Sequence, residues 1–575
     1  MKKMTSGRKK ILLQTDFSLA KTGFGRTAKA ILTYLYNLNK YDIVHLCCGK
    51  RQKSLDLQKT PWKSIGTIPI TEYDINLSKK DKEGSQKSFY GAYNIDKVVY
   101  EEKPDIYIGI QDIWGLKYSV EKPWYNEITS AIWTTLDSLP IHSSTIEIAK
   151  RCSNFWVWSD FAMKDLHKSG QEHVKTVHGP IEDKYFYKLP DHDKYIIREK
   201  NSISQSSFVV GFVFRNQIRK SVPNLLQGYA KWKKEHKPDR ETKLLLHTGY
   251  TDGWDINKLA AESGVDTSEI LATYICKSCN NYEVKNYEGE GVSCKYCLKE
   301  KSCFTPEPDH GVSEQQLNEI YNLMDVYCHP FTSGGQEIPI QEAKLTELIT
   351  LVTNYSCGEE MCKEEACSIP LEWTEYREHK SEFKKASTSP DSIAESLDSV
   401  FKMGEEERSE MGAKARRWAL ENYSSKTLCE FIQNFIDSSP FTEFKFEREN
   451  RKDRPKISEI LPKEDEGKRI VYVIPEEARD VFNSTSLFRS IKDLYPDFNL
   501  YVATKKEYFP ILDGNPYVYK TIEYSPQMDN IFWLEGRGEH IGFFEIAFIP
   551  YVNTQRIVTF THNGKDKIAF KDLKY

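Results

Sequence analysis

The sequence predicts an α/β protein built from several mostly parallel sheets. Short apolar runs such as KILLQT (10–15) and DIVHLCC (42–48) alternate with amphipathic helical patterns. Such alternation is typical of parallel sheets, because each parallel strand needs a crossover connection that is usually a helix. The series begins again at SFVVGFVF (207–214) and at RIVYVIP (469–475), and a chain of 575 residues has room for several domains.

The composition fits packed domains and excludes some functional classes. Hydrophobic residues make up 39% and aromatic residues 13% of the chain, and 80 basic residues against 84 acidic ones give a net charge of −4. This balance argues against a strongly basic nucleic-acid binder. No apolar run reaches about 18 residues, so no membrane span is expected. Thirteen mostly scattered cysteines, after a start that predicts a strand rather than a secretion signal, favour a reducing cytoplasm, or a host cytoplasm if the protein is viral.

The first βα series predicts an N-terminal domain over residues 1–185. GRTAKAILTYLYNL predicts a helix with Ala28, Ile31, Leu32 and Leu35 on one face. Further buried strands are predicted at PDIYIGI, SAIWTTL and NFWVWS.

The second series predicts a domain over 186–440, with strands at TKLLLHTG, VYCHPF and LITLVTN. Ser313 and Gln316 form the pattern of a capping box at the start of a helix. A helical stretch, RRWALENYSSKTLCEFIQNFID, closes this series. Residues 441–467 are rich in charge and poor in apolar side chains, which indicates a linker before a smaller α/β unit at 468–575.

Three loops carry candidate ligand-binding residues, because ligands of open α/β sheets bind beyond the carboxyl ends of strands. In TDFSLAKTGFGRTAKAI (15–31), Gly23 and Gly25 would let backbone N–H groups approach a phosphate or sugar at a helix N-terminus. A tight strand–helix turn is the alternative. In FRNQIRK, Arg215 and Lys220 suit a diphosphate, with ordinary surface charge as the alternative.

The third loop is GGQEIPIQE (334–342). Glu342 could accept the hydroxyls of a ribose, and the backbone N–H groups from Gly335 to Ile338 could bind phosphate or sugar oxygens. The alternative is that Glu337 and Glu342 only favour the positive end of the helix dipole.

Together the three loops resemble the GT-B glycosyltransferases, specifically the retaining glycosyltransferase family 4, over roughly residues 8–440. TGFGR is similar to the glycine-rich acceptor-side loop of that family, and VHGPIEDKYF (177–186) resembles the stretch that closes its N-terminal domain. FRNQIRK matches its Arg…Lys pair, and MDVYCHPFTSGGQEIPIQEAKL matches its signature loop and helix. The resemblance implies two Rossmann-like domains, a nucleotide-sugar donor such as a UDP-sugar, and no required catalytic metal.

The resemblance also implies roles for individual residues. Arg215 and Lys220 would hold the pyrophosphate and Glu342 the ribose. The residues implied in catalysis are Arg215, Lys220, Glu337 and Asp137. The residues implied in donor binding are Gly23, Phe24, Gly25, Arg215, Lys220, Gly334, Gly335, Gln336, Glu337, Ile338 and Glu342.

Two positions depart from the family pattern. The family has two glutamates separated by seven residues, and the first would fall at Gly334, so either Glu337 takes over a sugar contact or the donor pocket differs. The family often has a histidine before the aspartate that corresponds to Asp137, where this chain has Leu136. Asp137 remains a candidate for a sugar or acceptor contact.

The segment CKSCNNYEVKNYEGEGVSCKYC (276–297) predicts a structural zinc site within an insertion at 272–304. Two C-x2-C pairs supply four thiolates for tetrahedral coordination. The predicted ligands are Cys276, Cys279, Cys294 and Cys297. Cys303 is interpreted as a bystander. This ribbon could contact an acceptor, a partner protein or nucleic acid, or it could only stabilise a long excursion of the chain.

Residues 469–524 are similar to the N-terminal half of the heptosyltransferases, glycosyltransferase family 9. The similarity rests on the strand–loop–helix that contains Asp480 and on the stretches LYPDFNLYVAT and ILDGNPYV. Asp480 matches the position of a proposed catalytic base in that family. The nucleotide-binding half is not present after it, so we expect an accessory, acceptor-binding or assembly role without independent transferase activity.

The sequence therefore predicts a retaining glycosyltransferase whose acceptor is a glycan, a lipid-linked sugar or a small molecule. One alternative acceptor is phage DNA that carries 5-hydroxymethylpyrimidine bases. The ribbon and the basic-aromatic segments KWKKEHKPDR (231–240) and FKFERENRK (444–452) permit it, but the net charge does not support it. The other alternative is a non-catalytic scaffold with a degenerate donor site.

Overall fold

The computed structural model describes residues 7–70, 75, 78–307, 310–444, 461–462, 465–475, 477–536 and 542–550. The chain divides into two compact units, Met1–Phe446 and Glu447–Tyr575. The first unit contains two large α/β sheets, and the second contains one small parallel sheet. The predicted α/β fold class is confirmed.

The first sheet has seven parallel strands in the order β3-β2-β1-β4-β5-β6-β7. Its strands are β1 (Lys10–Asp16), β2 (Asp42–Arg51), β3 (Lys63–Ile68), β4 (Ile106–Ile110), β5 (Thr129–Thr134), β6 (Phe155–Val157) and β7 (Lys175–Thr176). Its helices are α1 (Gly23–Asn37), α2 (Gly84–Phe89), α3 (Ile95–Glu102), α4 (Ile113–Val120), α5 (Ser143–Arg151) and α6 (Asp160–Lys168). The strand order reverses between β1 and β4, which opens a crevice at their carboxyl ends.

Helix α1 shows why the sequence pattern succeeds here. Ala28, Ile31, Leu32 and Leu35 are all buried, so the predicted apolar face is confirmed. This face covers the sheet next to β1, whose central residues are also buried. The helix begins immediately after the loop that joins it to β1, and its first turn therefore lies at the crevice.

The second sheet has eight strands, in the order β11-β10-β9-β8-β13-β14-β15 with β12 paired to β10. Its strands are β8 (Phe208–Val213), β9 (Thr242–His247), β10 (Ile270–Cys276), β11 (Tyr282–Asn286), β12 (Cys303–Phe304), β13 (Val326–His329), β14 (Ile349–Thr353) and β15 (Ser368–Leu371). A separate hairpin, β16 (Trp373–Arg377) and β17 (Lys384–Thr388), follows β15. The order reverses between β8 and β13, so a second crevice opens there.

The helices of this half are α7 (Asp191–Lys200), α8 (Val222–His236), α9 (Ile256–Ser263), α10 (Glu314–Asn322), α11 (Ile338–Leu345), α12 (Gly358–Met361), α13 (Pro390–Lys402), α14 (Glu405–Tyr423) and α15 (Ser425–Ser438). The predicted capping box is confirmed at α10, where the Ser313 hydroxyl accepts from the Gln316 amide and the Gln316 side chain accepts from the Ser313 amide. Strands β11 and β12 are antiparallel to β10 and belong to the cysteine-containing insertion.

Helix α15 returns the chain to the first sheet, although the predicted second domain included it. Leu428, Cys429, Ile432 and Ile436 are buried in the same core as α1. Thr442 then donates its backbone N–H to Asp105 at 3.1 Å. The two halves of the first unit are therefore joined by the end of the chain as well as by the direct connection between them.

The C-terminal unit has four parallel strands in the order β20-β19-β18-β21. They are β18 (Lys468–Val473), β19 (Phe498–Thr504), β20 (Lys520–Glu523) and β21 (Ile546–Phe548), with helices α16 (Ala478–Leu494) and α17 (Ile531–Glu535). The predicted linker at 441–467 lies largely outside the described residues. Its last part belongs to this unit, because Leu461 is in its core and Asp465 is buried, accepting from Asn499 at 2.6 Å.

Within the described part of the chain, no helix is both long enough and apolar enough to cross a membrane.

Candidate active site

The loop between β1 and α1 is fixed by hydrogen bonds at the helix start. The Thr22 hydroxyl accepts from the Gly25 amide at 3.0 Å and donates to Asp16 at 2.6 Å. A Cβ atom on Gly25 would lie 2.5 Å from the carbonyl oxygen of Ala20, so the loop itself requires glycine there. This packing supports the tight-turn interpretation for Gly25. A Cβ atom on Gly23 would lie 3.6 Å from Ile338, so this turn faces the start of α11 across the crevice.

The loop after β8 places Lys220 and Arg219 on a single carboxylate. Both side chains donate to Glu337, which is 3% exposed and immediately precedes α11. His329, at the end of β13, lies 3.2 Å from the same carboxylate. Burial opposes the ionisation of Glu337, but Arg219 and Lys220 hold its pKa well below the usual value. Two cations and one anion leave this cluster with a positive charge.

Lys220 is itself buried, and this changes its chemistry. Burial, and then the neighbouring charge of Arg219, lower the pKa of Lys220 to about 8. Burial also lowers the pKa of His329 to about 4, so this imidazole is neutral at physiological pH. The ammonium of Lys220 is therefore retained at neutral pH but is lost under moderately basic conditions.

The structure separates the two predicted cations of FRNQIRK. Lys220 is buried against Glu337, but Arg215 is exposed and has no hydrogen bond or ion pair within the described ranges. Arg219, which was not among the predicted site residues, lies beside Glu337 instead. The short 3₁₀ turn Ile218–Lys220 ends at Ser221, which has a φ of 42°, and this turn directs both side chains toward α11.

Gly334 explains how Glu337 reaches the cluster. A Cβ atom built on Gly334 would lie 2.5 Å from the Glu337 carboxylate oxygen and 2.9 Å from its Cγ. The Glu337 side chain therefore folds back over the Gly334 backbone and fills the space where a side chain at 334 would begin. A larger residue at 334 would displace the carboxylate from Lys220.

The remaining loop residues make contacts between the two halves of the unit. The Gln336 side chain accepts from the Gly179 amide at 2.6 Å and donates to the Gly179 carbonyl at 2.9 Å. A Cβ atom on Gly335 would lie 2.5 Å from the Cβ of Thr135 in the first half. Close approach of the two halves at this loop therefore depends on glycine at 335.

Glu342 is 1% exposed and both of its oxygens have partners. Arg26 in the first turn of α1 donates to one oxygen at 2.6 Å, and the Tyr321 hydroxyl donates to the other at 2.8 Å. Arg26 is the arginine of the TGFGR segment, so two of the predicted loops meet through this ion pair. Phe24, in the same turn, packs edge to face on Trp158 rather than on the second half.

Asp137 lies within electrostatic range of Arg219, in a network of hydroxyl groups. The Ser138 and Ser333 hydroxyls donate to its two oxygens at 2.8 and 3.4 Å. The buried ammonium of Lys385 donates to the same two hydroxyls at 2.7 and 2.8 Å. Lys385, which was not among the predicted site residues, lies on the hairpin strand β17.

Two further carboxylates lie at the carboxyl edge of the first sheet. Asp16 accepts from Gln111 at 2.6 Å, and Asp112 accepts from the Thr135 hydroxyl at 3.0 Å. Burial raises the pKa of each of these carboxyl groups. Asp112 also lies within electrostatic range of Asp16, Asp137 and Arg219. The carboxyl edge of the first sheet is therefore acidic and polar, whereas the carboxyl edge of the second sheet carries Lys220 and Arg219.

The four predicted zinc ligands come together. The sulfur atoms of Cys276, Cys279, Cys294 and Cys297 all lie within 4.8 Å of one another, and two pairs are separated by 3.6 and 3.7 Å. A tetrahedral zinc–thiolate site with bonds of about 2.3 Å has sulfur–sulfur edges of about 3.8 Å. Backbone N–H groups of Ser278 and Tyr296 donate to two of the sulfurs at 3.4 Å. The geometry therefore fits a metal ion held by all four thiolates.

Comparisons with known proteins show similarity in structure only: no family model and no curated protein matches this sequence. A glycosyltransferase from Rickettsia africae superposes with a TM-score of 0.51 at 14% identity, over 75% of this chain and 98% of that one. Anabaena HepE in complex with UDP and glucose gives 0.52 at 11% identity, over 75% and 100%. The sucrose-phosphate synthase of Thermosynechococcus elongatus gives 0.52 at 11%, over 75% and 98%.

At such low identity these similarities establish the fold. Two mostly parallel α/β sheets, each with its crevice at the carboxyl ends of the parallel strands, face each other within one unit. The chain therefore has a GT-B architecture of two Rossmann-like sheets.

Proposed function

We propose that this protein is a retaining glycosyltransferase of the family 4 type, which moves a sugar from a nucleotide-diphosphate sugar to a hydroxyl acceptor. The observation that carries the proposal is the cluster of Lys220 and Arg219 on the buried carboxylate of Glu337, beside the start of α11. Its positive charge lies at the carboxyl edge of the second sheet, where α/β proteins bind ligands. A diphosphate is the anion that suits two adjacent cations and a helix N-terminus.

The chemistry requires stabilisation of a leaving group. When the bond between the anomeric carbon and the diphosphate oxygen breaks, the electron pair stays on the diphosphate. Lys220 and Arg219 would stabilise that charge electrostatically, and Arg215, which is exposed in the same loop, is free to bind a second phosphate oxygen. The acceptor hydroxyl forms the new bond on the same face of the sugar and gives its proton to the leaving phosphate. This route needs neither a protein nucleophile nor a catalytic metal.

Glu337 is proposed to take the role that the family resemblance gives to an acid at 334. Its carboxylate fills the space over Gly334. Glu337, three residues later in the chain, would therefore supply the carboxylate that the family has at the position of Gly334. This geometry argues against the degenerate-site interpretation, because the acid and both cations are present and paired. Glu342 is proposed to bind the ribose, with its orientation set by Arg26 and Tyr321.

We propose a UDP-sugar as the donor, which is supported by the presence of UDP in the Anabaena HepE complex. We place the reaction in a reducing cytoplasm, which is consistent with the finding that none of the thirteen cysteines, all within the described residues, forms a disulfide. The four clustered thiolates are proposed to bind a structural zinc ion, since no ligand position remains for a reacting water.

We propose a neutral, hydroxyl-rich acceptor such as a glycan or a small molecule. The first sheet presents Asp16, Asp112 and Asp137 at its carboxyl edge, and carboxylates accept sugar hydroxyls but repel the phosphates of DNA. The basic segment at 231–240 does not offset this, because Lys231 pairs with Asp391 at 2.6 Å and Lys233 pairs with Glu269. The other basic segment, 444–452, lies almost wholly outside the described residues.

The C-terminal unit is proposed to be accessory, as the resemblance to heptosyltransferases implies. It provides one small parallel sheet with its own core. Asp480 lies in the first turn of α16, next to Arg479 at 3.3 Å. We propose that this unit binds acceptors or partners and has no separate transferase activity.

The test is mass spectrometry after incubation with a panel of nucleotide sugars and candidate acceptors. We expect UDP-sugar hydrolysis or transfer to a glycan, and loss of both in Lys220→Ala. A mass gain on DNA containing 5-hydroxymethylcytosine or 5-hydroxymethyluracil would show that the acceptor is modified DNA and not a glycan. Absence of turnover and of nucleotide binding in the wild-type protein would overturn the enzyme proposal in favour of a scaffold.

A further inference from the structure

The cysteine-containing ribbon begins on a strand of the second sheet. β10 pairs with β9 in register, and its last residue, Cys276, is the first thiolate of the cluster. The chain then forms β11, returns through β12 and leaves toward α10. The loop after β9, residues 248–255, begins beside this excursion at the carboxyl edge of the sheet.

Three tyrosine rings join the ribbon to the loop after β9. Tyr250 in that loop stacks on Tyr287 of the ribbon with ring centroids 4.2 Å apart and planes at 15°. Tyr287 is also parallel to Tyr274 of β10, at 6.3 Å and 9°. The loop is therefore held against a flat surface that the ribbon supplies.

Polar contacts fix the same loop from the returning segment of the ribbon. Glu290 accepts from the backbone N–H and the hydroxyl of Thr305 at 2.8 and 2.6 Å. The Thr305 hydroxyl accepts in turn from the Tyr250 amide at 3.2 Å. A Cβ atom on Gly249 would lie 2.7 Å from the carbonyl oxygen of Pro306, so the two backbones touch.

On its other side the loop contacts the segment that carries Lys220. The Asn216 side chain accepts from the Trp254 amide at 2.9 Å and donates to the carbonyls of Trp254 and Gly249 at 2.9 and 3.2 Å. Gly253 has a φ of 73°, and a Cβ atom there would lie 2.2 Å from the Asn216 carbonyl oxygen. Asn216 is adjacent to Arg215 and four residues before Lys220, so the loop lies directly beside the proposed diphosphate site.

The position of the contacts along the ribbon gives the metal cluster a role. Tyr287 and Glu290 both lie between the second and third cysteines, Cys279 and Cys294, whose sulfurs are 3.7 Å apart. A metal ion held by all four thiolates closes this segment into a loop of fixed ends. Without the metal ion, the ends of the segment between Cys279 and Cys294 would not be held together. The Tyr287 ring would then no longer be fixed against Tyr250.

We propose that the zinc ribbon is part of the donor site. Through Tyr287 and Glu290 it positions the 248–255 loop beside the segment that carries Lys220, and this position sets the affinity for the nucleotide. This inference rests on the proposed function, because it assigns the neighbouring segment to the donor. The ribbon residues act through the loop, and they are positioning residues rather than catalytic ones.

The test uses the full chain and the variants Tyr287→Ala and Glu290→Gln, which keep all four cysteines. Zinc content by mass spectrometry should stay at one ion per chain. The dissociation constant for UDP, measured by calorimetry, should rise by about tenfold or more, because the loop is no longer held in its binding conformation. Leu298→Ala is the matched control, since this residue belongs to the same ribbon and its side chain is 80% exposed.

Hydrogen exchange provides a second measurement that needs no nucleotide. The Tyr250 and Trp254 amides donate to Thr305 and Asn216, so a peptide covering 248–255 should exchange faster in both variants and after zinc removal, but not in Leu298→Ala. Unchanged exchange in this peptide would overturn the proposal whether or not UDP binds. If exchange rises and the wild-type protein does not bind UDP, the ribbon still positions the loop and only the assigned donor is wrong.

Discussion

Arg26 and Glu342 form an ion pair across the crevice, with Nη2 of the arginine 2.6 Å from Oε1 of the glutamate. The two residues are 316 positions apart in the chain. One lies in the first turn of α1 and the other in α11. The carboxylate proposed to bind the ribose is therefore held in place by the half of the first unit that contains the first sheet.

Replacing Arg26 by Met should destabilise the first unit and weaken nucleotide binding together. Glu342 is 1% exposed and would keep only the Tyr321 hydroxyl as a partner. Loss of a partner from a largely buried ion pair costs about 1–3 kcal/mol in the free energy of unfolding, measured by urea denaturation. UDP affinity, measured by calorimetry, should fall because the carboxylate is no longer oriented.

A double-mutant cycle identifies the pair as the cause. Arg26→Met combined with Glu342→Gln should be less destabilising than the sum of the single changes. Lys29→Met is the control one turn along α1, because its contacts to Glu182 and Glu314, at 3.3 and 3.5 Å, are partly exposed. Strict additivity in the cycle would show that Arg26 and Glu342 do not stabilise each other.

Nucleotide affinity should fall as pH rises through about 8. Lys220 has a pKa lowered to about 8 by burial and by Arg219, so the free protein loses this charge above that pH. A bound diphosphate favours the ammonium form. The dissociation constant of UDP should therefore rise by up to about tenfold per pH unit above 8, measured by calorimetry between pH 6.5 and 9.

Comparison with Lys220→Gln separates the pH dependence caused by the Lys220 ammonium from the pH dependence caused by protonation of UDP itself. The variant should bind UDP weakly and lack the additional slope above pH 8, because the amide does not titrate. Equal slopes in the two proteins would contradict this prediction, because they would mean that the protonation of Lys220 is not coupled to nucleotide binding between pH 6.5 and 9.

The sequence was sufficient where the determining contacts are local. The apolar face of α1, the Ser313–Gln316 cap and the four cysteines depend on spacings of a few residues or on paired motifs, and all were found from the pattern. Each of these features is dictated by the period of a helix or by the ligand requirements of a metal.

The sequence was not sufficient where side chains distant in the chain converge. Arg219, and not the predicted Arg215, lies next to Lys220 on Glu337, because the 3₁₀ turn directs it there. No pattern in FRNQIRK distinguishes the two arginines. Lys385 reaches the site on a hairpin that carries no motif. Arg26 belongs to the TGFGR segment, and its position in the first turn of the helix at the crevice is the signal that could have identified it.

Lys385→Met should reduce turnover without changing donor affinity. The Lys385 ammonium holds the Ser138 and Ser333 hydroxyls, and these hydroxyls donate to Asp137. Without the lysine the two hydroxyls are free to rotate, and Asp137 loses its fixed orientation. We expect kcat for transfer or for UDP-sugar hydrolysis to fall by about tenfold or more with the donor KM unchanged.

The neighbouring lysine is the matched control for this change. Lys384 lies on the same strand with its side chain 39% exposed and pairs with Glu375 at 3.2 Å, so Lys384→Met should leave kcat unchanged. Equal kcat values in Lys385→Met and the wild type would remove Asp137 from the proposed chemistry. A fall in kcat in both variants would instead indicate that the hairpin as a whole matters.

Lys344 should make the stability of the first unit depend on pH. It is fully buried in α11, donates to the Ala366 carbonyl and to the Ser368 hydroxyl at 2.7 Å, and has a pKa lowered to about 7 by burial. Between about pH 7 and the ordinary lysine pKa of 10.5, the unfolded chain holds a proton that the folded chain has released. The free energy of unfolding should therefore rise with pH in this window, by up to about 1.4 kcal/mol per unit.

Lys344→Met removes this titration. The free energy of unfolding of the wild type should therefore increase relative to that of the variant between pH 6.5 and pH 9. Urea denaturation at four pH values measures it, and Lys363→Met is the control. Lys363 is 41% exposed and pairs with Asp160 at 3.2 Å, so the difference that it causes should stay constant over this range. A constant difference for Lys344→Met as well would mean that Lys344 remains charged in the folded protein, in which case its two oxygen partners are enough to offset its burial.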